Sequence, residues 1–133
     1  MDDILRKYRQ VDYTMPKTTL AWCMYQAGVE NFGKDGKPTE LPFPAPGPGE
    51  LLARVDAIGI CFSDIKLRTQ GSRHPRVLGR DLDANPVVPG HEVSITVVGV
   101  GDELKDKYHV GERYTVQADI YYNGVGMAYG YAL

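Results

Sequence analysis

The chain has 133 residues, formal net charge −2, 43% hydrophobic residues and 24% charged residues. That is one domain's worth of sequence, with enough apolar content to fold and no basic stripe for nucleic acid. The apolar runs are too short for a membrane span, MDDILRKYRQ lacks a signal-peptide core, and two cysteines, Cys23 and Cys61, make no disulfide framework. A reducing cytoplasm is the expected setting.

Residues 2 to 10 fit a short polar helix with a thin apolar stripe of Ile4, Leu5 and Tyr8. Thr18 to Ala27 reads as a first strand, with Trp22 as a core anchor and Val29 to Phe32 pairing back across Gly28. LPFPAPGPGE, with four prolines, excludes helix and central strand and reads as an extended connector. Glu50 to Ile58 is predicted as a strand ended by Gly59, and Ser63 to Arg68 as a short helix capped by Ser63. Gly71 to Val88 is a polar loop punctuated by Pro and Gly, long enough to carry function. After the Pro89-Gly90 turn, Val93 to Val98 and Arg113 to Ile120 read as strands around a charged loop. Short strands, many turns and little helix predict a mainly β fold, a small barrel or sandwich.

Chemistry concentrates at two strand ends. Cys61 follows one strand and His91-Glu92 opens another, and thiolate and imidazole are preferred zinc donors. Each also has an ordinary reading: Cys61 as a small core residue, His91 as a hydrogen-bonded turn residue. Ser63 and Asp64 suit helix capping on their own.

Gly-Ile-Cys-Phe-Ser-Asp, then Pro-x-x-Pro-Gly-His-Glu, then Val-Gly and Val-Gly-Glu-Arg-Tyr, stand in an order that resembles the zinc-dependent medium-chain alcohol dehydrogenase family. The likeness covers about residues 18 to 118 and implies its GroES-like catalytic domain, a partly open β-barrel with a few short helices. It further implies that Cys61 and His91 ligate a catalytic zinc, with Glu92 beside the metal or transiently on it. Ser63 would relay the alcohol proton, and Asp64 would hold the far nitrogen of His91. The implied reaction is hydride exchange between an alcohol or carbonyl compound and NAD or NADP, with zinc polarising the oxygen.

Four departures from the family pattern qualify this. Ile95 stands where the family has a glycine, which predicts different local packing. The Gly71 to Val88 loop is long, and its Arg73, His74, Arg76 and Arg80 suit either solvent or an anionic substrate such as a sugar phosphate. ADIYYNGVGMAYGYAL has no cysteine, so no structural zinc is expected, and its glycines read as a tyrosine-rich surface loop. No third ligand follows His91, and Cys23 is a poor substitute on a core-like strand. The resemblance therefore implies a truncated chain whose third ligand and nicotinamide-binding Rossmann domain lie beyond Leu133. Such a fragment is expected not to turn over alone and to belong, at full length, to a homo-oligomer. The alternatives are a non-catalytic GroES-like binding or assembly module, or a zinc-free quinone reductase relative.

Overall fold

Alternating side chains from Leu51 onward make β3 (Leu51–Gly59), the long strand on which the molecule is laid out. It pairs antiparallel with β4 (Glu92–Val100), which pairs in turn with the short β5 (Arg113–Thr115), giving a three-stranded sheet. The computed structural model describes residues 2–11, 14–43, 45–116, 121–122 and 125–126. Before this sheet come α1 (Asp2–Arg9), β1 (Thr18–Ala21) and β2 (Thr39–Pro42). The last two form their own antiparallel pair, from Thr18 opposite Pro42 to Ala21 opposite Thr39. Between β3 and β4 lies α2 (Phe62–Gln70), and β6 (Tyr121–Tyr122) pairs with β7 (Val125–Gly126) further on. The fold is mainly β, as the pattern predicts, and among the described residues its sheets do not close into a barrel. No described helix is long and apolar enough to cross a membrane.

The register of β3 on β4 matters most for function. Leu51 lies opposite Val100 and Gly59 opposite Glu92, with irregularities between Leu52 and Ala53 and between Val55 and Ala57. The end of one strand thus meets the start of the other, which brings Cys61 and His91 together across 30 positions of sequence. Ile95 takes an ordinary place in this ladder, opposite Val55 on one side and Tyr114 on the other.

The core lies beneath α2, where Met24, Leu67, Val77, Leu82 and Val87 are buried together with Phe32 partly packed on them. The loop after α2 supplies three of these side chains and is tied down at its end, where Met24 and Val87 exchange backbone hydrogen bonds of 2.7 and 3.2 Å. It folds into two 3-10 turns, Gly71–Arg73 and Pro75–Val77.

Several expectations need correction. The first strand stops at Ala21, and Trp22 is 51% exposed rather than a core anchor, because the described residues place no layer over that face. Val29–Asn31 is a 3-10 turn, and the expected pairing shrinks to one bridge between Met24 and Phe32. The proline-rich stretch still lends Leu41 and Pro42 to β2, which a two-stranded sheet tolerates because proline's missing N–H faces outward there. The cap of α2 is Cys61, not Ser63: the Asp64 carboxylate reaches back to the Cys61 N–H, so the helix starts at Phe62. Of the expected strand 113–120, residues 113–115 form β5 and 117–120 lie outside the described residues, as does most of the glycine-tyrosine terminus.

Candidate metal centre

The site begins with a turn. Gly90 has φ 104°, a backbone conformation that suits glycine, and it delivers His91 to the head of β4 with its side chain 3% exposed. A buried imidazole needs partners on both nitrogens. Asp64, 8% exposed, meets the first: its Oδ1 lies 3.2 Å from His91 Nδ1 and also accepts the Gly90 N–H at 3.1 Å. Its Oδ2 accepts the Cys61 N–H at 3.0 Å. A carboxylate only accepts, so a neutral His91 carries its proton on Nδ1 and turns the Nε2 lone pair outward.

That lone pair faces Cys61 Sγ at 3.5 Å and Ser63 Oγ at 3.0 Å, and Ser63 Oγ is 2.7 Å from the sulfur. Glu92, exposed, completes the group: donor atoms of Cys61, His91 and Glu92 all lie within 4.8 Å of one another. Gly59 makes room for that carboxylate, since a Cβ there would stand 3.3 Å from Glu92 Oε2. A tetrahedral zinc with bonds of about 2.3 Å to sulfur and 2.05 Å to nitrogen separates these two donors by about 3.6 Å. Cys61 and His91 therefore fit zinc in kind and in spacing, with the Glu92 carboxylate close by.

All five residues singled out from sequence, Cys61, Ser63, Asp64, His91 and Glu92, come together here. Cys23 does not: it is 1% exposed and lies outside the cluster. Arg73 and Arg80 of the long loop line a cleft together with Gln70, the last residue of α2, whereas Cys61 caps that helix at its other end. Arg80 is spent on its own loop, donating to the carbonyls of Asn85 and Pro86 at 2.7 and 2.8 Å and to Asn85 Oδ1 at 2.9 Å. With Arg73, Asp81 and Asp83 it lines a polar cleft of about 420 Å³. His74 is buried; burial lowers its pKa, helped by the charges of Arg76 and Lys66.

Two features escaped the sequence reading. A groove of about 500 Å³ runs beside the cluster, between β1, the end of β3 and α2, and its walls include Leu20, Trp22, Val29, Ile58, Ile60 and Ile65. The spacing of Ile58 and Ile60, two apolar residues on one side of the segment leading into Cys61, was the available signal. The second is Asp56, whose carboxylate binds Arg54 at 2.8 Å, Arg113 at 3.4 Å and the Thr96 hydroxyl. Burial works to raise its pKa, but the hydrogen bonds from Thr96 and Arg54 and the two guanidinium charges outweigh it, and the net shift is downward.

Known proteins point the same way as the geometry. The chain is 35% identical over 91 residues to a sorbitol dehydrogenase of Bombyx mori, covering 68% of this chain and 24% of that one. It is 31% identical over 99 residues to a mannitol-1-phosphate 5-dehydrogenase of Aliivibrio fischeri, covering 74% and 22%. An alcohol dehydrogenase, notN, of an Aspergillus species is 40% identical over 74 residues, covering 56% and 19%. The chain thus spans about a fifth to a quarter of the length of these curated relatives. Residues 47–128 match the alcohol dehydrogenase GroES-like domain, and the chain belongs to that family.

Proposed function

We propose that this chain is the catalytic domain of a zinc-dependent, NAD(P)-linked dehydrogenase or reductase acting on an alcohol, polyol, sugar or sugar phosphate. The observation that carries the reading is the 3.5 Å approach of Cys61 Sγ to His91 Nε2, with Glu92 beside them and Asp64 fixing the imidazole from behind. Cys61, His91 and Glu92 would hold the metal, with a further ligand and the nicotinamide site supplied outside these 133 residues. The bound groups supply Lewis-acid polarisation of the substrate oxygen and hydride exchange.

The chain's own residues do the rest. Asp64 keeps the His91 proton on Nδ1, which turns the Nε2 lone pair toward Cys61 and Ser63, where it could ligate a metal. Ser63 Oγ sits beside both the sulfur and Nε2, where a hydroxyl can take a proton from substrate and pass one on. Ile60 and Phe62, exposed on either side of Cys61, offer apolar cover that would limit water at the thiolate. The polyol and sugar-phosphate classes, expected from the resemblance and the basic loop, agree with the names of the relatives; Arg73 and Arg80 line a separate cleft with Gln70. A zinc-free quinone reductase has no use for this donor set. The assembly-module reading keeps one observation in its favour, the exposed apolar groove.

Cobalt substitution tests the assignment. Co(II) titrated into the chain is expected to give a sulfur-to-metal charge-transfer band that Cys61→Ser abolishes with little change in melting temperature. In the enzyme carrying this domain, the same variant should lose alcohol oxidation by at least about 100-fold. An unchanged band in Cys61→Ser would remove the thiol from the metal centre.

A further inference from the structure

Lys66 is an exposed cation on α2, one helical turn after Ser63. Residues three apart on a helix are neighbours, with Cβ atoms about 5–6 Å apart. Its ammonium lies over the Phe62 ring, 5.0 Å from the centroid, so the side chain bends back toward the end of α2 that carries Cys61. Among the described residues Lys66 forms no ion pair. The loop after α2 brings a second cation alongside. Val77 shares the buried cluster with Leu67, which presses the turn Pro75–Val77 against the helix. Arg76, in that turn, donates its backbone N–H to Nδ1 of His74 at 3.4 Å, and His74 is 6% exposed. Burial, then the charges of Arg76 and Lys66, hold the His74 pKa down, so both cations reach the same imidazole. The Arg76 side chain has contacts of its own, yet its Nη1 is buried without a hydrogen bond. We propose that Lys66 and Arg76 form a subsite for a phosphate group on the substrate, beside the cluster of Cys61, His91 and Glu92.

Charge and position favour phosphate as the occupant. Two cations gathered around one buried imidazole repel, and an anion between them reverses the sign of that interaction. A phosphomonoester carries about −1.5 to −2 charges near neutral pH and offers several acceptor oxygens, so it can take an ammonium and a guanidinium nitrogen together. The hydroxyls of an unphosphorylated polyol bring no charge to the same place. Because Ser63 and Lys66 share one face of α2, the reacting oxygen and the phosphate would stand at the two ends of a short carbon chain. That the phosphate belongs to the substrate rests on the dehydrogenase reading; that the two cations bind phosphate does not.

Calorimetry of the 133-residue chain in phosphate-free, low-salt buffer tests it, with glycerol 3-phosphate, inorganic phosphate and glycerol as probes. Both phosphates should bind and glycerol should not. Lys66→Ala and Arg76→Gln should each weaken glycerol 3-phosphate at least about 10-fold, and Lys66→Arg should restore most of the affinity. Arg73→Ala, which removes a charge from the same loop but in the separate cleft, should bind like the parent. By NMR the His74 pKa should rise when phosphate binds, as the anion offsets the two cations. Circular dichroism checks the fold of each variant, and Lys66, being exposed, keeps the test open if Arg76→Gln fails to fold. No binding of either phosphate, equal binding of glycerol, or full affinity in Lys66→Ala overturns the proposal. An equal loss in Arg73→Ala would move the anion to the polar cleft and overturn it too. Inorganic phosphate bound with glycerol 3-phosphate excluded would mark a site for the free anion and overturn the substrate assignment. Cys61→Ser should leave phosphate affinity unchanged and Lys66→Ala should leave the Co(II) band unchanged, so the metal reading and the phosphate subsite fail separately. In the enzyme carrying this domain, Lys66→Ala should raise KM for a phosphorylated polyol at least about 10-fold with kcat little changed, and an unaltered KM would overturn the substrate assignment.

Discussion

The junction of β3, β4 and α2 and the β1–β2 hairpin are built from similar residues to opposite ends. At the junction Leu67 and Val97 are fully buried and even the polar groups His91, Asp64 and Thr96 are under 10% exposed. In and just after β1, Leu20 and Trp22 stand more than half exposed. The first region is held by an eight-pair ladder and a helix capped at both ends, the second by four pairs. The longer ladder and the capped helix gather the candidate donor atoms, while apolar side chains stay exposed on the other region.

The same substitution made in both regions gives the largest contrast. Leu67→Ala should cost about 3 kcal/mol in urea unfolding, through lost burial and the cavity left under α2. Leu20→Ala, at a residue 65% exposed, should cost under about 0.5 kcal/mol. Equal losses would mean that the hairpin face is packed in solution. Next in size, Asp64→Asn should cost about 2 kcal/mol, because one carboxylate answers the Cys61 and Gly90 N–H groups and the His91 ring. It should also weaken zinc binding roughly 10- to 100-fold by calorimetry, since an amide no longer fixes the imidazole. Unchanged affinity would show that the ring is held by packing alone.

The smallest effects are those of pH. His74 has a lowered pKa in the fold, so below its ordinary value of 6.5 the unfolded chain takes up the proton first. Melting temperature should therefore fall as pH drops from 6.5 toward the lower folded value, then level, and His74→Gln should flatten that slope. Asp56 acts in a more acidic window. Its folded pKa lies below 3.8, so its contribution is present above 3.8 and is lost as pH falls through the folded value. Asp56→Asn should remove that acid limb.

Local pattern made β3, α2 and β4 legible, because alternation and a Gly-to-Ser-Asp transition are written in adjacent residues. The meeting of Cys61 with His91 was readable only through family resemblance, since the β3–β4 register and its irregularities depend on contacts some forty positions apart. Trp22 marks the limit of periodicity: alternation says which side chains share a face, and nothing about whether another layer covers it. The Gly71 to Val88 loop shows the converse. Its polar composition hid Val77, Leu82 and Val87, which complete the core because α2 offers them an apolar underside.

One glycine bears on how the chain tolerates lengthening. At Gly101, just past β4, a Cβ would come within 2.0 Å of the Gly47 carbonyl oxygen and 2.4 Å of that of Pro48, so the proline-rich connector and the end of β4 touch backbone to backbone. The connector has no regular structure at that point, yet it has no slack. At Gly36, in the turn between Lys34 and Lys37, a Cβ would meet nothing within 4 Å. A tag or reporter loop grafted at Gly36 should leave the Cys61, His91 and Glu92 cluster undisturbed, whereas one grafted at Gly47 would pry at the strand whose other end follows His91.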